Sequence, residues 1–193
     1  MVFLKLIGIA LIAYLLGSFP TGYLLARARG IDIFRYGSGN IGATNVWRTL
    51  GPAFGLLALA GDVGKGAVAV YLGSRAGEWP AVVAGACALA GHSWSVFLRF
   101  RGGKMIATAL GVFIMLTPGA ACGSLLIWAF VFALSRYVSL ASIIAAGSLP
   151  LLIAAFGYSW PYILFGAVAA GVAIYRHRSN IRRLLTGTEH RFR

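Results

Sequence analysis

Apolar runs recur along this chain from end to end and leave it little choice of fold. Seven can be drawn, at roughly residues 2–26, 52–73, 79–98, 105–117, 119–134, 138–157 and 160–175. Lipid offers no partner for backbone N–H and C=O groups, so a spanning segment closes its own hydrogen bonds as an α-helix. One crossing takes about 20 residues, with about 17–25 tolerated. Of the 193 residues, 60% are hydrophobic and only 11% charged, against roughly a quarter charged in a soluble domain. The expected class is all-α: a polytopic membrane protein of about seven transmembrane helices, forming one domain over residues 1–193.

The first three runs are long enough to cross. The fourth is short and stops at Thr117-Pro118-Gly119, a strong break signal. Runs four and five together are too long for one untilted crossing, so a short helix, a turn at Pro118 and a returning helix are expected. Gly157-Tyr158-Ser159-Trp160-Pro161 separates the last two, again as a turn with interfacial aromatics. A signal-peptide reading of residues 2–26 is set aside. The run is too long, its flanking charges follow it, and Gly17-Ser18 leads into a polar loop and not into a soluble domain.

The net charge is +13, which in a soluble chain would suggest nucleic acid. Its distribution gives a different reason. With seven crossings, one side carries Arg27, Arg29, Arg35, Arg48, Arg99, Arg101, Lys104, Arg136, Arg176, Arg178, Arg182, Arg183, Arg191 and Arg193, and the other only Lys5 and Arg75. Under the positive-inside rule this places the N-terminus outside and the C-terminus in the cytosol, with the polar glycine-rich loops cytosolic. No nucleic-acid partner follows. Cys87 and Cys122 sit inside apolar runs at a spacing that fits no metal or redox motif, and no HExxH or Cys/His cluster points to a metal. There is no internal repeat of the kind that marks many transporters.

Within this apolar chain, Gly37-Ser38-Gly39-Asn40-Ile41-Gly42-Ala43-Thr44-Asn45, with Arg48, stands out; it holds two of the three asparagines. Glycines let backbone N–H groups converge on an anion. Ser38, Asn40, Thr44 and Asn45 add neutral donors, and Arg48 a planar fork suited to phosphate. The bland alternative is a flexible connector. A second segment, Arg99-Phe100-Arg101-Gly102-Gly103-Lys104, leads into the fourth helix. There, free N–H donors, a positive dipole end and a mobile cation combine, although Arg99 and Arg101 read as ordinary flanking charge. A third, Arg176-His177-Arg178-Ser179-Asn180, places His177 and Asn180 on one face of a continuing helix; basic interface decoration is the alternative. Asp62 and Lys65, three apart in the second apolar run, form either a structural ion pair or a functional site. His92 reads as a satisfied interior histidine and not as a base. Ser142 lies near the cytosolic end of the sixth run and can reach the same polar region or bond its own backbone.

Taken in order, these motifs resemble the bacterial acyl-phosphate:glycerol-3-phosphate acyltransferases, the PlsY family. Arg136-Tyr137-Val138-Ser139-Leu140-Ala141-Ser142 and Glu189-His190-Arg191-Phe192 also look like that family. The resemblance implies transfer of an acyl group from acyl-phosphate to the 1-hydroxyl of sn-glycerol-3-phosphate, giving lysophosphatidic acid and inorganic phosphate. This is the first step of phospholipid synthesis, at the cytosolic face of the bacterial inner membrane. No cofactor or metal is implied. The partners are the two substrates, membrane lipids, and a separate acyltransferase that makes the acyl-phosphate and couples functionally to this one. By the same resemblance, Ser38, Arg48, Lys104 and His177 are the catalytic set. Gly39, Asn40, Thr44, Asn45, Gly102, Gly103, Ser142 and Asn180 bind substrate phosphate, and Glu189 is structural. Asp62 and Lys65 are set down as structural on their own pairing geometry, not on the resemblance. The family allows a route in which a substrate phosphate oxygen takes the proton, and this is preferred to His177 as base.

One position departs from the family pattern. Gly-Gly-Lys-Gly is usual there, and Met105 follows Lys104 here. Met105 is expected to be the first helical residue, where methionine does no harm. The rival class is a transporter for a phosphorylated or anionic solute, suited by the arginine-rich loops and by Asp62 and Lys65. Against it stands the concentration of polar residues on one side.

Overall fold

The computed structural model describes residues 2–192; Arg193, counted among the cations above, lies outside the described residues. Among the described residues there are ten α-helices and no strand, only an isolated antiparallel bridge between Ser95 and Arg101. The chain divides into two compact units, Met1–Met115 and Leu116–Arg193.

The first unit contains α1 (Val2–Ser18), α2 (Thr21–Arg27), α3 (Ala43–Leu50), α4 (Pro52–Ser74), α5 (Glu78–Ser93) and nearly all of α6 (Ile106–Leu116). The first apolar run is thus two helices. Pro20, which has no N–H to donate, sits at the break. Pro52 opens α4, at a position where the missing donor costs nothing. At 23 residues, α4 is about 35 Å long, enough to cross. The run expected at 79–98 yields a shorter helix, because the backbone turns back on itself after Ser93. Ser95 N–H donates to Arg101 O at 3.2 Å and Phe100 N–H to Ser95 O at 2.8 Å. Arg99 and Phe100 adopt left-handed backbone angles (φ 53° and 60°). Hydropathy therefore merged α5 with the apolar turn Val96–Leu98.

Small residues let these helices approach closely, the usual solution where lipid offers no hydrophobic drive. A Cβ at Gly17 would strike the Ala88 backbone, and one at Gly91 would strike Tyr14 O and the Ser18 amide, which fixes the α1–α5 crossing. Gly66 meets Thr108 O, and Gly111 meets Val63 O, which does the same for α4 and α6. Ala13, Ala69, Ala84 and Ala88 form a buried cluster between α1, α4 and α5.

The second unit contains α7 (Pro118–Ser135), α8 (Val138–Ala155), α9 (Trp160–Arg176) and α10 (Arg178–Leu185). Its breaks fall where Pro118 and Ser159-Trp160-Pro161 place them. Ser124 Oγ donates to Ala145 O at 2.8 Å across α7 and α8. The tail folds back: Phe192 N–H donates to Arg136 O at 2.8 Å, and Arg191 Nε donates to the Tyr137 hydroxyl at 3.1 Å. By length and composition, four stretches suit a membrane crossing: Phe3–Arg27, Pro52–Ser74, Pro118–Ser135 and Val138–Ala155. Ile106–Leu116 and Trp160–Arg176 are shorter apolar helices.

Candidate anion-binding site

The glycine-rich loop is built around one buried amide. Asn45, in the first turn of α3, is 2% exposed. Its Nδ2 donates to Asn40 O at 2.8 Å, Tyr36 O at 3.0 Å and Ile33 O at 3.4 Å, while its Oδ1 accepts from Ser38 N–H at 2.9 Å. A loop this short cannot bury a core of its own, so the side chain supplies the bonds that a ladder would otherwise provide. Gly37 is left-handed (φ 56°), and a Cβ there would collide with Asn45 Oδ1. Asn40 Oδ1 accepts from Gly42 N–H at 2.9 Å, closing a tight turn into the start of α3. Both amide groups of Asn45, expected among the phosphate ligands, are therefore committed to shaping the loop, whereas Asn40 commits its Oδ1 to the turn. Ser38 and Arg48 are exposed, and Thr44 is half-buried in the first turn of α3.

The second segment lies alongside. Leu98 packs in a buried cluster with Ile33, Ile41 and Val46, and the Arg101 guanidinium stacks over the Phe34 ring at 5.0 Å. Gly103 N–H donates to His92 O at 2.9 Å. A Cβ at Gly102 would meet the carbonyl oxygens of His92 and Ser93, and one at Gly103 the His92 ring. Both glycines are thus required by close packing on the end of α5. Lys104 is half-buried between Gly103 and Met105. Met105 is not helical, contrary to expectation. It has φ 59°, and α6 starts one residue later. Its side chain is buried, and its Sδ accepts from Ser93 Oγ at 3.5 Å. The left-handed region is where glycine is at no disadvantage, which accounts for the family's glycine. This chain keeps the turn with methionine.

Behind the loop lies the intramembrane pair. Lys65 Nζ donates to Asp62 Oδ1 at 2.8 Å and to Phe19 O at 2.8 Å, the latter a carbonyl at the α1–α2 break that also accepts from Thr21 N–H at 3.2 Å. His92 Nδ1 faces the same Asp62 oxygen at 3.6 Å. Sequence reasoning missed this connection, although a buried carboxylate in an apolar helix was the signal that further partners were needed.

In the second unit, His177 stands at a break between α9 and α10 and not within one continuous helix. Its Nδ1 lies 2.8 Å from Ala173 O. A carbonyl can only accept, so Nδ1 carries the proton and a neutral ring keeps its lone pair on Nε2. Ser142 Oγ accepts from Trp128 Nε1 at 3.1 Å. Glu189 gathers the rest: Ser139 Oγ and Asn180 Nδ2 each donate to Oε1 at 2.7 Å, and Arg183 Nε meets Oε2 at 2.6 Å. Burial alone would raise the Glu189 carboxyl. Hydrogen bonds from Asn180, Ser139 and Arg183, with the Arg183 charge, outweigh it and hold the group below the usual carboxylate range. Ser139 and Arg183 were not foreseen. The sequence signal for Ser139 was the Arg136–Ser142 segment that resembles the family, and Arg183 had counted only as a flanking cation.

Apolar helices joined by basic, glycine-bearing loops define a helical membrane protein. Residues 7–187 match the glycerol-3-phosphate acyltransferase family, and the chain belongs to it. A glycerol-3-phosphate acyltransferase of Desulforudis audaxviator is 60% identical over 183 residues, covering 94% of this chain and 92% of that one. One from Carboxydothermus hydrogenoformans is 50% identical, with 94% of each chain covered. The crystal structure of PlsY (YgiH), an integral membrane glycerol 3-phosphate acyltransferase, in its glycerol 3-phosphate form shares 41% identity and superposes with a TM-score of 0.95 over 98% of this chain and 96% of that one. Its lysophosphatidic acid form gives a TM-score of 0.92.

Proposed function

We propose that this protein transfers a fatty acyl group from acyl-phosphate to the 1-hydroxyl of sn-glycerol-3-phosphate, giving lysophosphatidic acid and inorganic phosphate. The observation that carries the reading is the match, along nearly the whole chain, to a protein whose solved forms are those of glycerol 3-phosphate and lysophosphatidic acid. The hydroxyl oxygen attacks the acyl carbon, the bond from that carbon to the phosphate oxygen breaks, and a phosphate oxygen of substrate takes the hydroxyl proton. Acyl-phosphate is already activated, so the protein's work is positioning and charge neutralisation. Ser38, Arg48 and the Gly102–Lys104 loop hold phosphate in the first unit, with Gly39, Asn40, Thr44 and Asn45 shaping or lining the cradle. Ser142, His177 and Asn180 orient glycerol-3-phosphate, and Glu189 braces Asn180. The two units act as one domain.

The protein works as a multi-pass enzyme of the bacterial inner membrane, N-terminus outside, its site at the cytosolic face, and fed by a separate enzyme that makes acyl-phosphate. The transport reading loses its main support, because the Asp62–Lys65 pair is closed on Phe19 O and His92. Two measurements test the proposal. Offered palmitoyl-phosphate or a palmitoyl thioester with glycerol-3-phosphate, the purified protein is expected to use only the phosphate; equal use of the thioester contradicts it. General-base catalysis contributes about 10²–10⁴-fold, so His177→Gln, if His177 only orients substrate, loses less than about 10²-fold in kcat. A larger loss would return the proton to His177.

A further inference from the structure

The acyltransferase reading leaves unexplained why a buried carboxylate, an ammonium and an imidazole meet inside the first unit. We infer that Asp62 and His92 form a buttress that fixes the Gly102–Gly103–Lys104 loop, which makes His92 a positioning residue for the phosphate that Lys104 receives. The inference deepens that reading and depends on it for the kinetic readout.

Both neighbours of Lys104 rest on the end of α5. On one side, Gly103 N–H donates to His92 O at 2.9 Å, and its α-carbon lies so near the imidazole that a methyl group there would overlap Nε2. On the other, Met105 Sδ accepts from the Ser93 hydroxyl at 3.5 Å. The ring is thus a floor beneath the loop, and its orientation sets where Lys104 begins. Asp62 lies on the opposite edge of that ring. At 3.6 Å from Nδ1 its contact exceeds hydrogen-bond length but sets two groups only 3% exposed directly against each other. Lys65 holds Asp62 in turn and anchors it to the α1–α2 break through Phe19 O. Ser95 Oγ adds a second tie to the same break, donating to Ser18 O at 2.6 Å. The helix break, the ion pair, the imidazole and the phosphate loop therefore form one continuous chain of contacts. Buried charge at this depth is costly, and an exact loop position is what it would secure, since a displacement of about 1 Å can cost on the order of 10²-fold in rate.

The test is a double-mutant cycle on the full chain in lipid, using His92→Ala, Gly103→Ala and the pair. KM and kcat are measured for each substrate, alongside inorganic phosphate binding. Gly103→Ala in the parent drives a methyl into the ring and is expected to raise KM for a phosphate substrate, and to weaken inorganic phosphate, by about 10-fold or more. In the His92→Ala background the same methyl has room, so its further effect is expected to be less than about 3-fold. Losses that simply multiply overturn the inference, as do single variants that unfold more readily but keep the parental KM and phosphate affinity when folded. If His92→Ala does not fold, Gly103→Ala alone decides, and parental phosphate affinity in that variant overturns it. Absence of turnover in the parent would count against the acyltransferase reading, while the phosphate titration still judges the buttress.

Discussion

Met105 carries the sharpest conflict between a residue and its place. A left-handed backbone costs a non-glycine residue about 1–2 kcal/mol, yet the side chain is buried at 2% exposure, which returns about 1.5–3 kcal/mol. The two nearly cancel. Met105→Gly is therefore expected to shift unfolding stability by no more than about 2 kcal/mol and turnover by a few-fold at most, as read by thermal unfolding and product formation. A tenfold rise in turnover would show that methionine distorts the loop. The sequence located this residue correctly but misjudged its conformation, because the Gly-Gly-Lys pattern does not say whether the helix starts before or after the next residue. Asn45 gives the parallel lesson. Its neighbours marked a polar loop, but only the fold reveals that its amide points inward onto Ser38, Tyr36 and Asn40 and not outward to a ligand.

Among elements, those that begin with proline were the most legible. Pro52 and Pro118 open α4 and α7, and Pro161 follows Trp160 in the first turn of α9, since proline is preorganised for a first turn. The end of α5 was not legible, because hydropathy sees Val96, Phe97 and Leu98 as more helix while the backbone folds them into a turn. The C-terminal tail was only partly legible. Glu189 was expected to be structural, but its partner Ser139 lies 50 residues away, and no spacing rule reaches that far. Its chemistry gives a pH dependence. A carboxyl held below its ordinary value of 4.5 contributes stability above that pH and loses it as the pH falls through the lowered folded value. The tail is therefore expected to resist proteolysis evenly between about pH 5 and 8 and to loosen only below about pH 4.5. Glu189→Gln is expected to be looser across the whole range and to lose that acid transition. A transition that persists in the variant contradicts this account of the tail.

For the whole molecule, class and function follow from different evidence. The apolar runs dictated helices because lipid forbids unpaired backbone, and the all-helical membrane fold is the one found. The site required more. Asp62 and His92 are 30 positions apart, and only the meeting of α4 and α5 reveals that the Asp62–Lys65 pair faces His92 at the end of α5. A transporter built on the same composition would spread polar groups through the membrane depth; here the intramembrane charges close on one another. The central claim is tested by incubating the purified protein in lipid with palmitoyl-phosphate and glycerol-3-phosphate, and measuring lysophosphatidic acid and inorganic phosphate together. Equal amounts of the two products, lost in both Lys104→Ala and Arg48→Ala while the fold persists, are the predicted result. A folded parent protein that forms no lysophosphatidic acid, or that forms it undiminished in both variants, would contradict the account.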